Sequence, residues 1–292
     1  MPGGKLSVRP FFAVSIMLFF AQFMAQICAL STASAASEWL RAPVVDTDVA
    51  GVTLVIHGLN TKPDKMRPLG AELNAMKQDV LLVKLTGHDQ DLAAFRQVTR
   101  ATFLLDVEEA VKRASAESRA KAKPLNLVAF SLGGLVAIDL VSEGRAAFER
   151  MVLLAPALAV HGRSHLIKIF VPFGHGFLVP SFSPEAYRAN PGTSIAAYLA
   201  LFESLSAIQA TPLLKANVPT LVLIDQDDEL VSASRLAALI RDKALTEWRL
   251  EAISANESTV RPKYHHLIID EPTLGPTPWR LMIEKIRLHL TH

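Results

Sequence analysis

The sequence predicts an α/β fold: a mostly parallel sheet flanked by helices, with an inserted lid. Three patterns carry the prediction. Short apolar runs of strand length alternate with helix-length segments, which is how buried parallel strands joined by right-handed helical crossovers read in sequence. At Ser131 the apolar period switches from strand to helix within one residue. Late in the chain, one connection between successive strands is far longer than a plain crossover needs.

The first 36 residues stand apart. Lys5 and Arg9 precede an apolar stretch over 11–30, and Ser31-Thr32-Ala33-Ser34-Ala35-Ala36 follows it. A basic start, an apolar middle and a small-residue end form the pattern of a secretory signal peptide. Because the apolar run is about 20 residues long, an uncleaved membrane anchor is the alternative. The chain is therefore expected to be exported, periplasmic or secreted, or else held at the membrane by this segment. Cys28, the one cysteine, lies inside it, so the remainder has neither an internal disulfide nor a thiolate for metal or redox chemistry. Export without disulfides suits a bacterial periplasm or medium. Removing 1–36 takes away two of 30 basic residues and none of the 28 acidic ones. The near-neutral balance gives no sign of the basic face that nucleic-acid binding normally shows, and no nucleic-acid partner is expected.

The expected divisions are a core segment over 37–160, the insertion over 161–216, and a closing core segment over 217–292. Strands are expected at 52–56, 80–85, 125–130, 151–155, 220–224 and 247–253, each a buried apolar run. Helices are expected at 64–76, 92–116, 132–143, 232–242 and 278–290. The antiparallel strands that could open such a sheet have only residues 39–51 in which to lie, so that edge is expected to be short.

Leu125, Leu127, Val128 and Phe130 form one strand run, and Leu135 to Val141 an apolar helical stretch that ends near Gly144. Between them stand Ala129, Ser131, Gly133 and Gly134. A one-residue passage from strand to helix strains the residue at the turn, and only small residues two positions to either side let the backbones approach. Such a turn lifts the Ser131 hydroxyl clear of the sheet. It also sets that hydroxyl over a helix N-terminus whose free N–H groups suit an oxyanion. The pattern is G-x-S-x-G with alanine in place of the first glycine. Ser131 is the candidate nucleophile, and the N–H of Leu132 is one candidate oxyanion donor. The β-branched run 51–56 ends in His57-Gly58-Leu59-Asn60, a sharp turn that can aim the Leu59 N–H at the same pocket. His57 is read as shaping that loop, as is His88 in Gly87-His88-Asp89.

Downstream, the strand at 220–224 runs into Asp225-Gln226-Asp227-Asp228-Glu229-Leu230-Val231, where three aspartates compete for the role of an acid. Near the C-terminus, Lys263-Tyr264-His265-His266-Leu267 offers two adjacent histidines, only one of which can point inward. The His-Gly turn, the serine turn, the acidic turn and the histidine pair occur in the order Ser, Asp, His. In these motifs the chain resembles the α/β-hydrolase superfamily, in particular lysophospholipase-like and monoacylglycerol-lipase-like serine esterases, over nearly all residues after 50. The family usually has glycine where this chain has Asp225. The resemblance implies Asp228 as the acid, separated by two residues from the apolar Val231, with Asp227 its competitor. It implies His265 as the general base, with His266 the adjacent competitor.

On that resemblance the expected activity is hydrolysis of carboxylic esters, acyl esters or lipid-like substrates, through a Ser-His-Asp triad and an acyl-enzyme, with no cofactor and no metal. The alternatives are another triad hydrolase, such as an aminopeptidase or lysophospholipase, and a noncatalytic relative that keeps the fold as a binding module. The insertion is apolar and aromatic over 167–180, punctuated by Pro and Gly. Such a surface either packs on the body or meets an acyl chain or a membrane face. A helix at 193–208, with Ile195, Tyr198, Leu199, Phe202 and Leu205 on one side, is read as core contact. His161 and His165, at i, i+4 spacing near His175, lack a carboxylate or cysteine in register and are not read as a metal site.

Overall fold

The structure, a computed structural model, describes residues 37–162, 169–172 and 174–291. The expected leader over 1–36, His165 and part of the apolar insertion lie outside the described residues. Nine strands are described: β1 Glu38–Leu40, β2 Gly51–Ile56, β3 Gln78–Val83, β4 Leu125–Phe130, β5 Arg150–Leu154, β6 Leu178–Pro180, β7 Gly192–Ser194, β8 Thr220–Ile224 and β9 Trp248–Ala252. The main helices are α1 Arg67–Ala75, α2 Leu92–Phe95, α3 Arg100–Lys121, α4 Leu132–Ser142, α5 Ile195–Ala210, α6 Ala233–Asp242, α7 Glu271–Leu274 and α8 Pro276–Thr291.

Seven strands make one sheet in the order β1-β3-β2-β4-β5-β8-β9, parallel throughout except for β1, which pairs antiparallel with β3. Strands β2, β3 and β4 are buried along their whole length, which explains why each reads as a mainly apolar run, with Gln78, Asp79 and Asn126 as buried polar exceptions. Alternate residues feed two cores. Leu125, Leu127 and Ala129 pack with α3 and α4 residues such as Phe103, Val107 and Leu135. Val128 and Phe130 pack on the other face with Leu69 and Leu73 of α1 and with Met282 and Ile286 of α8.

Helix α4 is buried at every position from Leu132 to Val141, because the sheet lies under it and α3 and α5 pack over it. From the expected stripe of α5, Phe202 and Leu205 are buried in that same core and Tyr198 packs against it, as core contact requires, and Ile195 is buried as well. The expected helix over 92–116 is two helices. The Thr99 hydroxyl accepts from the Thr102 N–H at 3.1 Å, while the Thr102 hydroxyl accepts from the Thr99 N–H at 3.2 Å. This reciprocal cap starts a new helix at Arg100. The opening edge of the sheet is a single three-residue strand. It is tied down by Asp79, which accepts from the Ala42 N–H at 2.9 Å and pairs with Arg41 at 3.0 Å and Lys121 at 2.6 Å.

The chain between β5 and β8 carries the β6–β7 antiparallel pair and α5. Among the described residues no helix is long and apolar enough to cross a membrane.

Helix α4 approaches the end of β2 closely at Gly133. A Cβ there would lie 2.7 Å from the His57 carbonyl oxygen and 2.8 Å from that of Ile56, where real Cβ atoms do not sit. Gly133→Ala is expected to destabilise the protein by about 1–3 kcal/mol, as overpacking does. Urea denaturation reads this directly, and an unchanged midpoint would mean that α4 has room to spare.

Candidate active site

Ser131 is the single residue between β4 and α4, and its backbone stands at φ 50°, ψ −113°, a region side chains other than glycine's rarely adopt. Main-chain bonds hold it there. Its N–H donates to the Leu154 carbonyl at 2.9 Å, and its own carbonyl accepts from Ala157 at 3.0 Å and from Leu135 at 3.2 Å. The hydroxyl is buried and meets His266 Nε2 at 2.8 Å. His266 Nδ1 in turn meets Asp228 Oδ2 at 2.8 Å. The imidazole packs on Phe130, with ring centroids 5.1 Å apart, and edge-on to Tyr264 at 6.0 Å.

Asp228 sits in the turn after β8. Its second oxygen, Oδ1, accepts from the N–H groups of Leu230 at 2.7 Å and Val231 at 2.8 Å. Burial alone would push this carboxyl up. The charge and hydrogen bond of His266, together with those two backbone donors, outweigh burial and hold it below the ordinary carboxylate value. The site therefore keeps an ionised acid behind the imidazole. The competitor Asp227 is exposed on the outer side of the turn, its N–H bonded to Asp225 Oδ1 at 2.9 Å.

The histidine is a correction. The resemblance implies His265 as the base, but the imidazole that reaches Ser131 belongs to His266. His265 turns the other way, with Nδ1 at 3.0 Å from Asp225 Oδ2. The chain thus holds two neighbouring imidazole–carboxylate pairs, and only the second connects to a hydroxyl. Asp225 also accepts from the Ala255 N–H at 2.6 Å. It fastens the turn after β8 to the loop after β9. Asp225, Asp227 and His265 are the one group of potential metal ligands among the described residues, with ligand atoms within 4.8 Å of one another. The internal bonds of Asp225 account for that arrangement as a loop fastening. His161 Nε2 bonds the Asp228 carbonyl at 3.2 Å, and His175 is exposed.

The loop at the end of β2 comes close to the serine. A Cβ on Gly58 would lie 2.7 Å from the Phe130 ring and 3.1 Å from Ser131 Cβ, so glycine is required for this approach. Among the described residues, no group accepts from the N–H of Leu59 or of Leu132, the first residue of α4, which leaves both candidate donors available.

Beneath that loop lie two buried imidazoles, His57 and His88, with ring centroids 4.7 Å apart. His57 Nε2 accepts from the Leu85 N–H at 3.1 Å, and its Nδ1–H donates to the Gly58 carbonyl at 2.9 Å. His88 Nε2 accepts from the Asn60 N–H at 2.9 Å, and its Nδ1–H donates to the Thr86 carbonyl at 3.1 Å. Each ring serves as donor at one nitrogen and acceptor at the other, which only the neutral form can do. Burial accordingly lowers the pKa of His57 to about 4. Burial, and then the charge of His57, pull that of His88 well below the ordinary histidine value.

A sequence profile of the family described as "Serine aminopeptidase, S33" matches residues 47–190, just under half of the chain. The fold is similar to that of a monoglyceride lipase from Saccharomyces cerevisiae solved with a substrate analog, at a TM-score of 0.71 and 14% identity over 87% of this chain and 90% of that one. A structure reported for the metagenome-derived lipolytic enzymes LipS and LipT gives 0.67 and 19% over 88% and 98%. The monoacylglycerol lipase of Paleococcus ferrophilus gives 0.64 and 15% over 87% and 98%. No curated protein matches the sequence significantly. The likeness to these structures shows the fold of the chain, a mostly parallel sheet flanked by helices of the α/β-hydrolase type.

The neutral histidines generate a prediction. In the unfolded chain the residue-57 imidazole takes up its proton near 6.5, in the fold only at about 4. Between those values the unfolded state holds the extra proton, so this group weakens the fold as pH falls, by up to about 3 kcal/mol. Asp106 acts in the opposite sense. Burial raises its carboxyl to about 6, so the folded state takes that proton first and gains stability as pH falls through 6. His57→Gln removes only the first effect, and urea titrations between pH 6.5 and 4.5 should show stability falling less steeply with acid than in the parent. A slope as steep as the parent's would refute a buried neutral His57.

Proposed function

We propose that the protein is a serine hydrolase of carboxylic esters, acting on acyl or lipid-like substrates through an acyl-enzyme on Ser131. The observation that carries this reading is the continuous hydrogen-bond chain from Ser131 Oγ through His266 to Asp228, at 2.8 Å in each link. Ser131 Oγ attacks the ester carbonyl carbon while His266 Nε2 takes its proton. The tetrahedral oxyanion is held by the N–H groups of Leu59 and Leu132. Collapse breaks the bond to the alcohol oxygen, which leaves with the proton from His266. Water, deprotonated by the same nitrogen, then releases the acid and restores the serine. Asp228 keeps the Nδ1–H tautomer and stabilises the imidazolium.

Support for a lipid-like acyl group comes from two sides. The structures it resembles include proteins named as monoglyceride and monoacylglycerol lipases. Within the insertion, Ile169, Phe177 and Phe182 are 64%, 38% and 81% exposed, and we read this surface as the lid that an acyl chain meets. A second reading, cleavage of aminoacyl amides, follows from the description of the matched family profile.

With p-nitrophenyl acyl esters of increasing chain length, the protein is expected to prefer the longer chains, and Ser131→Ala to lower turnover by ~10⁴-fold. A folded Ser131→Ala variant that retains most of the activity would overturn the serine mechanism. A parent active only on aminoacyl amides would favour the second reading, and one that neither turns over nor reacts with a fluorophosphonate would be a binding module.

The two histidines are separable by substitution. His266→Ala should lose activity by a similar ~10⁴-fold, whereas His265→Ala should keep most of it. The reverse ranking in a kcat comparison would restore His265 as the base.

A further inference from the structure

Two adjacent histidines on one loop could each supply the imidazole, and something must decide which one does. The answer lies in Glu229, the neighbour of Asp228. Its Oε1 accepts from the His265 N–H and its Oε2 from the His266 N–H, each at 3.0 Å. One carboxylate thus holds two consecutive backbone amides, across 36 residues of sequence. Charge-assisted bonds of this bidentate kind fix orientation as well as distance.

We propose that Glu229 is a positioning residue whose carboxylate sets the orientation of the 265–266 backbone, so that His266, and not His265, faces Ser131. This deepens the ester-hydrolase reading and rests on it. With both amides held, the two imidazoles leave the backbone in different directions, and each finds a carboxylate of the same turn. His265 goes to Asp225 at 3.0 Å, and His266 to Asp228 at 2.8 Å. The clamp and the proposed acid sit on neighbouring residues, so a single turn after β8 orients the base through both its main chain and its ring. A shift of the amide pair by one residue would instead present His265 to the serine. The hydroxyl would then lose the link to Asp228, because the ring of His265 is already committed to Asp225.

The experiment compares Glu229→Ala, which removes both acceptors, with Glu229→Gln, which keeps the shape and one acceptor but turns an amide donor toward the other N–H. Misplacing a catalytic group by about 1 Å costs ~10²-fold, so Glu229→Ala should lower kcat by that order with KM unchanged. Glu229→Gln should fall between it and the parent. The low-field proton resonance of the His266–Asp228 hydrogen bond should weaken in step with kcat, which a merely stabilising residue would not cause. A kcat at the parent value in Glu229→Ala, a loss confined to KM, or a kcat loss with an intact low-field resonance would overturn the proposal. Fluorophosphonate labelling of the parent separates the two ideas. An unlabelled parent refutes the hydrolase reading, while the resonance in the Glu229 variants still decides the clamp.

Discussion

The arrangement at the site depends on one constraint, the backbone of Ser131 at φ 50°, ψ −113° between β4 and α4. A non-glycine residue in such a region costs of order 1–3 kcal/mol, and it persists only where its surroundings leave it no alternative. Here a parallel sheet on one side and a wholly buried helix on the other leave no space to relax. The main-chain bonds to Leu154, Ala157 and Leu135 take up both polar groups of the residue. Relaxing the turn would move α4 away from the β2 end, where Gly133 lies against the Ile56 and His57 carbonyls. The same conformation directs the hydroxyl to the loop edge of the sheet, where the turns after β2, β8 and β9 converge.

Around that fixed hydroxyl, charge is distributed unevenly and for physical reasons. On the side of β8 and β9, buried or half-buried carboxylates are each satisfied by donors. Asp225 takes the N–H groups of Asp227 and Ala255, Asp228 those of Leu230 and Val231, and Glu229 those of His265 and His266. An ionised carboxylate out of water is tolerable only with such partners. On the side of β2, by contrast, the loop rests on His57 and His88, which burial keeps neutral. The negative charge of the acid loop thus stands behind the imidazole, while the loop that carries Leu59 rests on uncharged rings.

How much of this the sequence discloses varies with the range of the interaction that decides it. The parallel strands are legible because burial on both faces demands continuous apolar runs, and the turn at Ser131 because it needs small residues at fixed offsets. The position of Asp228 is legible for a local reason too. Its Oδ1 bonds the N–H groups two and three residues ahead, so its spacing to Val231 is written in the turn itself. The identity of the inward histidine is not legible. His265 and His266 differ by one position, and the choice between them is made by Glu229 and Asp225, remote in sequence. The break at Thr99 escapes for a different reason. Leu92, Phe95 and Val98 continue the apolar spacing of the next helix, while the reciprocal cap is made by a Thr–Thr pair where glutamate is the usual partner. Strand β1 is three residues long at a sheet edge, too short for any period to register.

The insertion contributes more to this frame than a cover would. Its return limb, just before β7, bonds to two of the loops that meet at the serine. Asn60, in the left-handed region at φ 52°, exchanges bonds with Asn190. Its Oδ1 accepts from the Asn190 N–H at 2.8 Å, and its side-chain amide donates to the Asn190 carbonyl at 3.1 Å. The Asn190 side chain donates onward to the Gly87 carbonyl at 2.9 Å, reaching the loop that carries His88. Three residues earlier, the Tyr187 hydroxyl donates to Asp270 at 2.9 Å, and Asp270 caps α7 directly after the histidine loop. Tyr187 and Asn190 are both buried, so these bonds work with little competition from water. The turn that carries Leu59 and the loop that carries His266 are therefore braced by one short stretch of chain. Their separation across the serine is set by the limb as well as by the sheet.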